Sequence, residues 1–242
     1  MNRLILADIS RILHKKGFIL LTAFLVLSEL SELLEDTEVP LEEFLIQVQA
    51  SLNQDNLFLI VIGVFLSVYF DDVKSGALPS VIGIGISRGR FLIAKLVDCA
   101  ILVSIQFFLV WTMKVSLMLF AMKLPMSQHQ VVLLAIYGFL CIIHALGVLA
   151  ITELLYLLTE STAAAVISLF LLSLIMPFLL ETLQSLTSLE IYEISMSGML
   201  QQAYVAFTVD GVPWQLLPVI GGPIIGVTLV SIGIFQKKEL EL

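Results

Sequence analysis

The residues able to do chemistry are few and scattered. His14, His129 and His144 lie far apart, and no H-E-x-x-H unit joins any of them into a helix-borne zinc site. No G-x-x-x-x-G-K-[ST] phosphate loop is present, so the chain does not hold ATP by that route. The paired carboxylates Glu42-Glu43 have no His or Arg set beside them and read as a solvated acidic face rather than an acid–base pair. Lys95 and Asp98 are i,i+3 neighbours on one expected helix, which lowers the cost of an acid at the edge of an apolar run. Asp98 and Glu153 could form a proton relay only if both sat deep in an apolar medium, and each instead stands near the end of an apolar run. Cys99 and Cys141 both fall inside such runs and read as small buried hydrophobes, with no metal-ligand spacing. No catalytic, cofactor-binding or metal-ligating residue is therefore assigned.

The elements that must carry these residues follow from composition. The chain of 242 residues is 59% hydrophobic and 13% charged, against about 25% charged residues in an ordinary soluble domain. Its mean hydropathy is +1.06. Such a chain cannot cover itself with polar groups in water. A soluble enzyme, a nucleic-acid-binding domain and a disordered chain are excluded, and an all-α integral membrane protein is expected, with the lipid bilayer as its solvent. No A-x-A-like cleavage site follows the first apolar run, which argues against a removed signal peptide.

Six spans are expected. Uncharged runs over 124–152, 161–180 and 211–236 are each long enough to cross. A fourth covers 91–113, provided that Lys95 and Asp98 sit near the membrane surface. Two shorter runs, 17–28 and 56–70, cross if flanking charges lie at the interfaces, with Lys15 and Lys16 snorkelling; the alternative for both is a re-entrant or interfacial helix. With six crossings, 10 of the 12 basic residues fall on one side: Arg3, Arg11, Lys15, Lys16, Lys74, Arg88, Arg90, Lys95, Lys237 and Lys238. The opposite segments 29–55 and 181–213 hold no Lys or Arg, and carry eight and four acids respectively. Basic residues stay in the cytoplasm, so both termini are expected there. Lys114 reaches the outer interface and snorkels, or faces a substrate path. His144, deep in the 124–152 run, is expected to bond to a neighbouring helix, with a pathway role as the sharper alternative.

Residues 3–16 place Ile5, Ile9, Ile12 and Leu13 on one stripe with Arg3, Arg11 and Lys15 elsewhere. This is the pattern of a helix lying on the inner membrane surface; a straight extension of the first span is the alternative. The loop around 71–95 holds Asp71, Asp72, Lys74, Gly76, Ser87, Arg88, Arg90 and Lys95 about a mixed apolar segment. Ser87 can cap a helix start. Arg88 and Arg90 just inside that start oppose the helix dipole, so another reason must keep them there. The length of the loop suggests a docking surface rather than a bare reversal, for which about six residues suffice. Segment 181–213 reads as an interfacial helix pair or a long outer loop. Pro177, Pro218 and Pro223 can kink their helices. Gly222 and Gly226 are spaced for close helix packing.

Together these features resemble the ABC-2-type transporter permeases. The matching residues are Asp71–Gly76, then Ile86-Ser87-Arg88-Gly89-Arg90-Phe91-Leu92 with Lys95, and the basic tail Phe235-Gln236-Lys237-Lys238. The resemblance covers nearly the whole chain, as a single permease domain over 1–242. It implies the membrane-spanning subunit of a bacterial exporter in the plasma membrane. ATP would be bound by a separate ABC ATPase subunit docking on 71–95, and this chain would carry no cofactor. The implied partners are that ATPase, a second copy or related permease, and the bilayer, with no nucleic acid. The few fixed charges in the spans favour a hydrophobic or amphiphilic substrate, and the resemblance suggests an antimicrobial peptide. A non-ABC secondary transporter and an intramembrane enzyme are the other classes; neither repeats nor clustered acids stand out in the sequence.

Overall fold

In the computed structural model, described for residues 2–35, 55–70, 87–120, 127–159, 161–187, 198 and 216–237, every regular element is helical. The helices are α1 (Asn2–Leu13), α2 (Lys16–Glu35), α3 (Asp55–Phe65), α4 (Arg88–Phe120), α5 (Gln128–Thr159), α6 (Thr162–Phe170), α7 (Met176–Thr187) and α8 (Leu216–Lys237). π-helical turns continue α3 through Leu66–Phe70 and join α6 to α7 through Leu171–Ile175. Among the described residues three helices are long and apolar enough to cross a membrane, over Gly89–Met113, Gly138–Thr159 and Thr162–Thr187. Shorter apolar helices cover Lys16–Ser28, Leu57–Tyr69 and Gly221–Lys237. The described part of each expected run thus falls on a helical element.

Polar and apolar groups are arranged inside out for a protein in water. Lys95, Asp98, Gln106, His144 and Glu153 are buried, while Phe24, Phe108, Phe139, Phe178 and Ile225 are exposed. Phe178 leaves 67% of its surface uncovered, and Leu186 76%. Large apolar side chains exposed on almost every helix are unstable against water and stable against lipid. The chain is a helical membrane-embedded protein.

α4 and α5 form the centre. α4 packs on α1, α2, α3, α5 and α8, and α5 on α3, α4, α6 and α8. One core runs through Phe18 and Leu25 of α2, Ile60 and Val64 of α3, Leu102 and Phe107 of α4, Cys141 and Ala145 of α5, and Ala165 and Leu169 of α6. A smaller cluster joins Phe91 and Leu92 at the start of α4 to Leu157 near the end of α5 and Phe235 near the end of α8, with Leu4 of α1 against it. Five chain segments therefore meet at one end of the bundle, since Tyr69 at the end of α3 also reaches Glu153 of α5.

Several boundaries differ from those expected. α1 stops at Leu13, and a turn at His14 and a non-helical Lys15 separate it from α2, so α1 is a helix of its own and not a straight extension. The fourth span does not end at Thr152: α5 runs on through Glu153 to Thr159. Residues 181–187, assigned to the outer segment, continue the fifth span. Its start at Ser161 agrees with expectation, and the reason is local: Ser161 is extended (φ −114°, ψ 115°), and its hydroxyl accepts the Ala164 N–H. Pro177 is absorbed by the π turn before it, where the Met176 N–H reaches back five residues to the Leu171 carbonyl. Widening the helix there removes the clash that the proline ring makes in a regular α-helix. Pro223 does not break α8, which continues to Lys237.

Candidate functional site

α1 meets α4 through charge. Asp8 lies one turn from both Leu4 and Ile12, on the face of α1 turned to the bundle. Ile12 is fully buried there. The Lys95 amine of α4 donates to the Asp8 carboxylate at 2.7 Å, and its side chain is only 2% exposed. Arg11, one turn along α1, adds a longer contact to the other Asp8 oxygen at 3.4 Å. The Lys95 amine also stands 5.3 Å from the centre of the Phe91 ring, within range for a cation–π contact. Lys95 is in effect a rivet between the surface helix and the first turns of α4.

A second polar contact lies close by. The Tyr69 hydroxyl, at the end of α3, donates to Glu153 Oε1 of α5. Glu153 is 1% exposed, and its Oε2 has no hydrogen-bond partner among the described residues. The π turn brings Ser67, Val68 and Tyr69 into the interior in succession. Phe65 stacks on the Tyr69 ring at 5.1 Å between centroids, and Tyr156 packs at 5.9 Å. Asp98 and Cys99, also buried on α4, are within electrostatic reach of Tyr69, and Lys95 is within reach of Cys99. Further along α4, the Gln106 side-chain amide donates to the Thr22 hydroxyl of α2 at 3.1 Å. Tyr69→Phe is expected to cost about 1–3 kcal/mol, because it strips a buried acceptor of its donor. Glu153→Gln keeps an acceptor for Tyr69 and is expected to cost less. Loss of helix on titration with a denaturing detergent checks both.

No protein-family model and no curated protein matches the chain. The site must be read from its own geometry. Among the described residues no three His, Cys, Asp or Glu converge as metal ligands. What the buried layer does have is linkage: one contact fixes α1 to α4, another fixes α3 to α5.

The expected site residues are only partly brought together. Asp71, Asp72, Lys74 and Gly76 lie outside the described residues. Ser87 immediately precedes α4, and its carbonyl accepts the Phe91 N–H at 3.0 Å. Arg88 is the first residue of α4, and Arg90 is exposed in its first turn. Lys95, expected with them on a cytoplasmic surface, is instead buried on Asp8. Asp98 and Glu153, expected near the cytoplasmic interface, are both buried among the helices. Lys114 lies on α4 and His144 is buried on α5. Asp8 and Tyr69 were not foreseen as site residues. An acid spaced four residues from Leu4 and from Ile12 is the sequence signal that marks Asp8; Tyr69 carries none.

A groove of about 680 Å³ opens between α4 and α5, lined by Phe107, Phe108, Trp111, Gly138, Phe139 and Ile142 among others. Gly138 sets its depth. A methyl group there would stand 3.2 Å from the Phe107 ring and 3.6 Å from that of Trp111. Gly138→Leu is expected to fill the groove, force these rings aside and destabilise the bundle by about 1–3 kcal/mol. Trp111 emission, compared with the wild type, reports the displacement.

Proposed function

We propose that the chain is the membrane-spanning permease subunit of an ATP-driven exporter of the ABC-2 type. In this reading it crosses a bacterial plasma membrane six times, with both termini cytoplasmic. It forms the pathway for a hydrophobic or amphiphilic substrate such as an antimicrobial peptide, and a separate ATPase subunit binds and hydrolyses ATP. Residues 71–95 form the docking loop, and a second permease copy or a related permease completes the pathway.

One observation carries the reading. At the end of the bundle where α1, the start of α4 and the ends of α5 and α8 meet, the exposed charges among the described side chains are Arg11, Lys16, Arg90 and Lys237, while Asp8 and Glu153 are turned inward. These described cations come from segments far apart in sequence, as an even number of crossings and retention of basic residues in the cytoplasm would require. The ion pair from Lys95 to α1 supports the mechanical part: a push on the loop that opens α4 is passed to the surface helix within a few ångströms. Purified in mild detergent from its own membrane, the tagged chain is expected to bring with it an ATPase containing a phosphate loop. Purification without one, together with transport driven by an ion gradient alone, counts against the proposal.

That outcome would favour a second reading, a non-ABC secondary transporter. Its specific support is the set of buried ionisable residues Lys95, Asp98, Glu153 and His144, a costly arrangement in a membrane protein that commonly marks an ion path.

A further inference from the structure

We propose that the groove between α4 and α5 holds one acyl chain of an anionic membrane phospholipid. The groove, of about 680 Å³, opens on the lipid-facing side of the bundle, since Phe108 and Phe139 among its lining residues are exposed. Its walls are apolar, and the Ser104 hydroxyl is turned back onto the Ala100 carbonyl of its own helix at 2.7 Å. Its length fits one leaflet. Ile101 is the middle residue of the span Gly89–Met113, and the α4 wall runs from Ala100 to Trp111. That stretch of helix is about 17 Å long, against about 15 Å for half of the hydrocarbon core. The groove therefore runs from the bilayer midplane to the interface opposite the Arg90 end.

A protein partner fits this groove poorly. A stable interface takes about 20–30 residues a side, whereas eleven described residues line the groove. A row of methylenes fits its shape, and two features at the interfacial end fit the rest of a phospholipid. The Trp111 indole N–H is enclosed and has no acceptor among the described residues. A methyl group at Gly138 would stand 3.7 Å from that nitrogen, so the hollow left by the glycine lies beside the N–H. Buried indole N–H groups usually take a partner, and the ester carbonyl of a chain lying in the hollow supplies one. Charge complementarity selects the headgroup. Residues 99–152, which furnish both walls, contain no Asp or Glu, and their two basic residues are Lys114 and Lys123. Lys114 follows Phe107 by seven positions and Trp111 by three, which places it on the same side of α4, one turn beyond the groove. One such cation near the membrane surface favours an anionic lipid by roughly fivefold.

The inference needs no ATPase, so it can fail or stand independently of the proposed function. The full chain carrying Trp214→Phe, which leaves Trp111 as its sole tryptophan, is reconstituted in phosphatidylcholine bilayers. Part of the lipid is replaced by phosphatidylglycerol or phosphatidylcholine brominated in mid-chain, and quenching of Trp111 emission is measured. Phosphatidylglycerol is expected to quench at about one-fifth of the phosphatidylcholine concentration at low salt. Adding Lys114→Gln is expected to bring the two lipids to within about twofold, with quenching by phosphatidylcholine unchanged, because the groove still admits a chain. Adding Ala100→Leu/Ala135→Leu instead, at wall positions that are half-buried and exposed, is expected to fill the groove and lower quenching by both lipids while helix content is kept. Equal quenching by the two lipids in the reference chain, or a preference that Lys114→Gln leaves intact, overturns the proposal. Quenching undiminished by the paired leucines places the lipid outside the groove and also overturns it. Shielding of Trp111 from both lipids that is relieved on diluting the protein in the bilayer assigns the groove to a second copy of the chain instead.

Discussion

Asp8→Leu is expected to lower stability by about 3–5 kcal/mol, the cost of taking a charged partner from a buried amine. The group left behind is the Lys95 amine, on a side chain 2% exposed. Lys95→Met is expected to cost less, because Asp8 is 14% exposed and retains Arg11 at 3.4 Å. The double variant Asp8→Leu/Lys95→Met removes both charges and fills their space with apolar atoms. It is expected to recover most of the loss, since well-packed hydrophobic replacements of buried ion pairs are often neutral. Detergent-titrated unfolding of the four proteins gives the coupling energy between the two sites. A coupling near zero would mean that α1 is not fixed to α4 by this pair. In the proposed function, breaking the pair has a second consequence: α1 is uncoupled from motions of α4, so transport falls by more than the loss of folded protein explains.

The second large effect concerns the proposed docking loop. Changing Arg88 and Arg90 together to Glu is expected to abolish ATP-driven transport while the protein still inserts and folds. Arg88 opens α4 and Arg90 is exposed in its first turn, whereas Phe91 and Leu92 immediately after them root the helix in a buried cluster with Leu157 and Phe235. At Arg90 the charge reversal acts on the exposed surface, and the anchor is left intact. Exposed substitutions of this kind alter stability by about 0.5 kcal/mol. Transport into vesicles, measured with the ATPase supplied, separates the two outcomes: none in the double variant supports docking through these arginines, and normal transport contradicts it. Gly89 between them lies 3.2 Å, by its missing Cβ, from the Gln236 side chain of α8, so the same turn is also a helix-packing contact. A bulky residue at position 89 would confuse the two roles, which is why the arginines are the better test.

Much of the fold could be read from the chain because lipid imposes simple rules. The apolar runs give the helices, the amphipathic pattern of 3–16 gives the separate α1, and Ser87 gives the start of α4. The failures have a common cause. Counting uncharged residues treats every acid or lysine as a membrane edge, so the fourth span seemed to end before Glu153 and Lys95 seemed to belong to a surface loop. What keeps these groups inside is a partner far away in sequence: Tyr69 for Glu153, Asp8 for Lys95. Neither pairing is visible to a method that reads one segment at a time. The π turn that delivers Tyr69 is equally silent, since Leu66–Phe70 contains no proline or glycine to signal it. The turn before Pro177 could have been anticipated, because the proline must be accommodated somewhere.

All of the functional reading requires both ends of the chain to lie inside the cell, where the proposed ATPase would work. A protease-cleavable tag fused after Leu242 tests this directly. The account predicts that protease added to intact cells leaves the tag in place and that permeabilised cells lose it. Removal of the tag from intact cells would put the basic end of α8 on the outer face and contradict the account.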